Sequence, residues 1–442
     1  MSGPGSVIVV GGGPAGMVCG LLLARAGLRV TVLERHNDYF RGDTVHPSTL
    51  TLLDELGLGP AFDQLPHSKL EQVRVPVRGG GDVVVSDLTR LRLNRPYIAM
   101  TPQWDLLHVL AEAGRSEPTF ELRMGTEFIG LLRSEGRVVG VRCRDEDGEH
   151  DLLSDLVIGC DGRRSDVRAD ALLPLIELPV HFDAWWFRLP TEVAGSSLVP
   201  RAAPGAVFVM IPRRGYVQAA RLIPKGSDAE LRAAGMDAFR EAIAAAAPEL
   251  ADAASGLEWD QVKLLDVRVD RLRRWWAPGL LCIGDAAHAM SPAGGVGVNL
   301  AVQDGVAAAR LLAAALLAGR LADADLEAVQ HRREFAARAT QAGQQVVHRG
   351  IDALLEGGQP DRIPPVGSTR SRKPATRLPS AGVSPGSRPS TTRFSGFSGG
   401  NPLEVPPAAA SVLRALPWLT SIPAYLIGVG VRPEHAPAFA RR

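Results

Sequence analysis

The residues best suited by type and spacing to do chemistry lie in one run: Gly284-Asp285, then His288, Pro292, Gly295, Gly297, Val298 and Asn299. An apolar stretch from Leu280 to Ile283 leads into the Gly-Asp pair, and an alanine-rich helix is expected from about Asn299 to Ala318. A carboxylate at a strand end accepts hydrogen bonds from a sugar or polyol. Glycines allow backbone to approach a flat ring closely. A helix that begins at such a loop directs unpaired N–H groups and about half a positive charge at whatever sits there. The run therefore suits a polyol chain attached to an electron-rich ring.

A second site stands near the start of the chain. The short apolar run Val7 to Val10 is followed by Gly11-Gly12-Gly13-Pro14-Ala15-Gly16 and an apolar helix pattern through Ala26. Gly27 ends that helix, and Arg29 to Leu33 forms a second strand closing on Glu34. Strand, Gly-x-Gly-x-x-Gly, helix, strand and acid is the order of a dinucleotide site. Glu34 falls 18 residues after Gly16, close to the spacing of an acid that binds a ribose hydroxyl.

The elements that must position these groups follow from pattern. A polar loop from Arg41 to Pro47, which includes His46, precedes a helix over 48–56, and residues 71–100 alternate as strands do. A helix starts at Gln103 and runs to about Ala113, and Leu131 to Leu153 reads as a β-meander. The apolar strand Leu156 to Cys160 leads into Asp161-Gly162-Arg163-Arg164-Ser165-Asp166-Val167-Arg168, in which Arg168 is expected to pair with Asp161 or another local acid. Residues 176–275 form a separate sheet with strands near Trp185 to Leu189 and 205–224, one helix over 229–245 and one further strand over 262–269.

The expected fold is α/β. A discontinuous Rossmann-like nucleotide domain (1–70, 101–175 and 276–350) is interrupted by a mixed-sheet substrate domain (71–100 and 176–275). Residues 366–401 are rich in Ser, Thr, Pro, Gly and Arg and have no acid, so a disordered linker is expected there. C-terminal helices over 402–442 should pack back on the body.

Composition narrows the function. The chain has 442 residues and a net charge of +1, so no basic field favours nucleic acid. No leader pattern opens the chain and no charge-free run of about 18 apolar residues indicates a membrane span. Cys19, Cys143, Cys160 and Cys282 show no close pairing, as expected of buried reduced thiols in a cytoplasmic protein. No His/Cys cluster has metal-ligand spacing.

Taken in order, Gly-x-Gly-x-x-Gly, Asp-Gly-x-x-Ser-x-Val-Arg and Gly-Asp-Ala-Ala-His-x-x-x-Pro-x-x-Gly-x-Gly-x-Asn resemble the single-component FAD-dependent aromatic hydroxylases, the group of p-hydroxybenzoate hydroxylase. The likeness spans about residues 6–350. It implies that Gly11, Gly13 and Gly16, with Pro14 and Ala15, cradle the FAD pyrophosphate while Glu34 holds the adenosine ribose. Arg35, next in the chain, either lies near adenine as a cofactor contact or is an exposed charge of the loop. It implies that Arg41 and Gln103 touch the cofactor and that Asp161 and Gly162 serve FAD and NAD(P)H. Asp285 would take a ribityl hydroxyl. Pro292, Gly295, Gly297, Val298 and Asn299 would line the pyrimidine side.

The reaction implied is hydroxylation of an aromatic or polyketide-like small molecule with NAD(P)H and dioxygen, through a flavin C4a-hydroperoxide, by a monomer or homodimer. The alternatives are an oxidase or reductase of the same fold and a non-enzymatic nucleotide-binding protein. The Trp-x-Trp-x-Ile-Pro pattern of halogenases on this fold is absent. Candidates for substrate contact are Tyr216, which shares a strand face with Gln218, and His46. By alternation, Trp185 and Phe187 share one face and Trp186 and Arg188 the other; either could line the ring pocket or simply pack the sheet. His288 is expected to be a hydrogen-bonded structural residue.

Overall fold

The computed structural model describes residues 5–36, 44–77, 80–191, 197–203, 206–213, 215–356 and 405–442. Arg41 and the whole 366–401 linker lie outside them.

The short apolar runs that flank the motifs form one six-stranded sheet, in the order Trp276–Ala277, Leu280–Cys282, Leu156–Gly159, Ser6–Val10, Arg29–Glu34 and Phe120–Met124. All neighbours are parallel except the first pair. Such strands are continuously apolar because helices cover the sheet. The register aligns Val10 with both Leu33 and Gly159, and Gly159 with Cys282. Four strands thus end in one row, and Gly11, Glu34, Asp161 and Gly284 emerge side by side from their C-terminal ends, where open α/β sheets bind ligands.

The helices Pro14–Arg25 and Val296–Leu317 lie against each other. A β-carbon at Gly305 would sit 2.7 Å from the Ala15 carbonyl oxygen, so the contact requires glycine. The second helix begins at Val296, earlier than expected. Gly294 (φ 80°) and Gly295 (φ 64°) turn the chain in the left-handed region, and the helix starts as soon as it leaves them.

Among the described residues, Ala293–Leu317 is one helix long and apolar enough to cross a membrane. A second arises only if Pro407–Ala415 and Pro417–Gly428, bent by 99°, count as one span. In the first, 78% of the apolar window is buried within this fold.

A seven-stranded sheet runs in the order Lys263–Leu265, Phe182–Leu189, Tyr216–Pro224, Ala206–Arg213, Ser197–Ala203, Gln72–Pro76 and Asp82–Asp87. Gln72–Pro76 and Asp82–Asp87 thereby join strands made more than a hundred residues later. Ile98–Met100 instead pairs with Thr44–Val45 and Ser68–Leu70 in a small sheet. One face of the large sheet packs Trp185, Phe187 and Phe208 against Phe239, with Trp185 and Phe239 centroids 5.0 Å apart.

Two expected elements are divided. The helix over 229–245 is two helices, Asp228–Ala233 and Met236–Ala246, because Gly235 at φ 96° breaks the turn. The strand over 262–269 splits into Lys263–Leu265 and Val269–Leu272, which belong to different sheets. Between them Asp183 Oδ1 accepts the Val267 amide at 3.0 Å, so a carboxylate replaces the ladder partner. The helices Pro407–Ala415 and Ser421–Gly428 return to the body, where Ala424 packs with Leu88, Ile98, Met100 and Ile211.

Candidate active site

The glycine loop after the first strand is held open by its own geometry. Gly11 has φ 108° and donates its N–H to Leu33 O at 2.8 Å. A β-carbon at Gly11 would strike the Cys160 carbonyl, and one at Gly16 would strike the Gly11 carbonyl. A β-carbon at Gly13 would meet nothing within 4 Å. Pro14 occupies the first turn of the helix, which has neither a side-chain cap nor an acid there, so its leading N–H groups suit an anion. Ala15 lies under Gly284, whose β-carbon would come within 3.1 Å of its methyl.

Glu34 closes this loop. Its Oε2 accepts the Gly12 amide at 2.8 Å and its Oε1 accepts the His36 amide at 3.0 Å. Arg35 and His36, with Gly125, Glu127, Arg144 and Asp145, line an open cleft of about 300 Å³.

The Asp161-Gly162 loop folds around its own carboxylate. Asp161 accepts Ser165 Oγ at 2.6 Å and the Val167 amide at 3.0 Å. Burial raises its pKa above the ordinary value against these bonds. Asp161 therefore shapes the loop, with Gly162 at φ 84° making the turn. Arg168 does not pair with Asp161, which its own loop already satisfies. It reaches Asp270 Oδ1 at 3.4 Å and Ala286 O at 3.3 Å, tying this loop to the next. Arg163 Nε donates to Asp285 Oδ2 at 3.1 Å. Arg163 occupies a variable position of its motif, so no sequence signal marked it.

The Gly284 loop rests on a buried network. Asp304 Oδ2 accepts the Gly284 amide at 3.0 Å and meets His288 Nε2 at 2.5 Å, while Asp304 Oδ1 accepts Arg333 Nε at 2.8 Å. Burial would raise the Asp304 pKa, but His288 and Arg333 together hold it below the ordinary carboxylate value. Arg333 continues to Arg432 O at 3.1 Å, and Glu434 receives Arg332 at 2.6 Å and Arg310 at 2.7 Å. His288 is hydrogen-bonded within this network through Nε2. Asp304 was visible in the sequence as a lone acid within an apolar helix; its partners were not.

On the far side, Pro292 precedes the Gly294–Gly295 turn and Val298 is half-buried against the core. The Asn299 side chain is committed internally: its Oδ1 accepts Ser48 Oγ at 2.5 Å and Thr49 Oγ1 at 3.1 Å, and its Nδ2 donates to Val429 O at 3.5 Å. A β-carbon at Gly297 would lie 3.9 Å from Asp285 Oδ1. His46 is buried, with Nε2 3.4 Å from Gly294 O, and burial lowers its pKa to about 4. Gln103 is wholly buried, and neither amide atom has a partner among the described residues.

The two faces of the seven-stranded sheet pack against different partners. Trp185 and Phe187 are core, whereas Trp186, Val209 and Ile211 turn toward Ile98, Met100 and the C-terminal helix residues Ala424 and Ile427. At the edge of this face Arg188 stacks on Tyr216 at 5.1 Å and donates to Gln218 Oε1 at 3.2 Å. No hydrogen bond among the described residues joins Tyr216 to His46. The C-terminal helix packs back on the body as expected; that it meets this face was not legible, because it follows a long stretch without pattern.

Comparison with known proteins agrees with this geometry. Residues 5–343 match a family model described as an FAD binding domain. The chain is 35% identical over 333 residues to 6-methylpretetramide 4-monooxygenase of Streptomyces rimosus, covering 74% of this chain and 79% of that protein. In structure it is similar to pqsL, a probable FAD-dependent monooxygenase from Pseudomonas aeruginosa (TM-score 0.68, 22% identity, 80% of this chain and 99% of that one). It is also similar to the flavin-dependent halogenase CmlS (TM-score 0.67, 22% identity, 82% and 67%). With three loops converging on one row of strand ends and a family match over most of its length, the chain belongs to the FAD-dependent aromatic hydroxylases, the flavoprotein monooxygenases of the p-hydroxybenzoate hydroxylase type.

Proposed function

We propose that this flavoprotein monooxygenase hydroxylates an aromatic or polyketide-like small molecule, with FAD lying across the loops that follow the four aligned strands. The observation that carries the reading is that row: Gly11, Glu34, Asp161 and Gly284 leave neighbouring strands together. The residues fit the cofactor. Space is free at Gly13, helix N–H groups lack side-chain caps, and the buried Gln103 amide has no described partner. In this reading Gly11 to Gly16 hold the pyrophosphate, Glu34 the ribose, Asp285 a ribityl hydroxyl, and the backbone of Gly295 to Val298 the ring.

Bound there, FAD would supply the redox chemistry with NAD(P)H and dioxygen. The chain supplies orientation and dryness. The apolar face of Trp186, Val209, Ile211 and Met100, closed by Ala424 and Ile427, excludes water from the reacting ring. The Tyr216 hydroxyl and the Arg188–Gln218 pair form a polar edge that can hold a phenol and steady its proton. His46 stays neutral near pH 7 and donates no charge. A cytoplasmic enzyme, monomeric or homodimeric, is part of the reading; the four free cysteines support the reducing compartment.

The test is turnover under labelled dioxygen with aromatic and polyketide phenols. One labelled oxygen atom in the product is expected. Product formed without label would favour the oxidase or reductase alternative, and halide-dependent product would favour halogenation.

A further inference from the structure

His46 has one ring nitrogen with a task and one without. Its Nε2 lies 3.4 Å from Gly294 O. A carbonyl only accepts, so Nε2 carries the proton and Nδ1 is left as a bare acceptor. Nδ1 is buried and has no donor among the described residues. His46 stands at the N-cap of the helix Pro47–Glu55, where a side chain often takes a backbone amide, but it makes no such bond. A buried acceptor without a donor is costly and demands an explanation.

The surroundings supply one. The ring is wedged against the Gly294–Gly295 turn: a β-carbon at Gly295 would lie 3.5 Å from His46 Cε1 and 3.1 Å from Thr44 Oγ1. That turn opens the helix whose first N–H groups are assigned above to the flavin. A ligand at the turn that brings an N–H or O–H group would complete the histidine.

We propose that His46 is a positioning residue of the flavin site, its bare Nδ1 accepting a hydrogen bond from bound FAD. The inference rests on the FAD reading above. At its flavin end FAD offers two donor classes, the imide N–H of the ring and the ribityl hydroxyls. Because burial keeps the imidazole neutral, the acceptor persists across the working pH range.

The experiment uses full-length protein labelled with ¹⁵N-histidine, with the His46 signals assigned by their loss in His46→Asn. On adding FAD to apoprotein, the Nδ1 resonance should move from that of a bare nitrogen to that of a hydrogen-bonded one, while Nε2 stays protonated. In parallel, His46→Phe should bind FAD about tenfold more weakly, with His46→Asn in between. Repeating the titration with N3-methyl-FAD separates the donors. Collapse of the wild-type advantage assigns the imide N–H, and an unchanged advantage assigns a hydroxyl. FAD that binds without moving Nδ1, with equal affinity for wild type and His46→Phe, overturns the proposal alone. Protein that binds no FAD overturns the cofactor reading and the proposal with it. The wild-type resonance keeps the test decisive if a variant fails to fold.

Discussion

Arg163 and Asp285 form an ion pair, Nε to Oδ2 at 3.1 Å, between loops 122 residues apart. Among the described residues only one carboxylate oxygen is engaged; Oδ1 faces Gly297, where a β-carbon would lie 3.9 Å away. The pair leaves Asp285 an acceptor to spare and fixes its orientation.

Asp285→Ala should therefore weaken FAD binding by roughly tenfold to a hundredfold, the worth of about 1.5–3 kcal/mol for a charge-assisted bond. Arg163→Ala should cost less, about threefold, because it removes the orientation and keeps the acceptor. Titration of both apoproteins with FAD checks the order; equal affinities for Asp285→Ala and wild type would reject the ribityl assignment.

The glycines of the first loop should divide by cause. Gly16→Ala forces a collision with the Gly11 carbonyl, so soluble yield and melting temperature should fall together. Gly13→Ala meets nothing within 4 Å, so the apoprotein should melt like wild type while FAD affinity drops. An unimpaired FAD titration for Gly13→Ala would place the phosphates elsewhere.

Asp304→Asn should destabilise the fold by about 3–5 kcal/mol, because it breaks the nearer carboxylate contact of buried Arg333, Glu434 lying 3.7 Å away, and the pair with buried His288. The Asp304 pKa is held below 3.8 in the folded state. Its contribution is thus present above that pH and is lost as acid carries the solution through the lower folded value. Urea unfolding at neutral pH measures the first effect; a loss under 1 kcal/mol would contradict the network.

His46 should impose a different pH dependence. Its folded value of about 4 lies below the ordinary 6.5. Between these values the unfolded chain binds a proton that the folded chain refuses. Stability is complete above pH 6.5, falls as pH drops toward 4, and the loss then levels off, for about 3 kcal/mol in total. Between pH 7 and 4.5, wild type should lose about 2–3 kcal/mol more than His46→Asn in urea unfolding. Equal losses would mean that His46 titrates normally.

Local chemistry was legible where the backbone itself does the work. The glycine loops, the acids at strand ends and the helix starts all announce themselves by residue type and spacing, and parallel register then brings them together. Side-chain reach was not legible. Arg163 and Arg168 sit in a recognisable motif, yet their partners, Asp285 and Asp270, are set by how strands stack. The alternation of 262–269 reads as one strand because periodicity is blind to the Asp183 carboxylate that captures the Val267 amide. Trp185 and Trp186 look equivalent in sequence; only Phe239 behind one and the cluster of Ile211 around the other distinguish the two faces.

The buried cluster of Asp304, Arg333 and Glu434 also sets an order in time. Glu434 is made 130 residues after Asp304, which at about 5–20 residues per second is a wait of roughly 7–26 s during synthesis. Through that interval the nascent Gly284 loop and the helix behind it have an acid and, later, an arginine without their last partner. The support behind the Gly284 loop is therefore complete only once the segment carrying Glu434 has been made and packed.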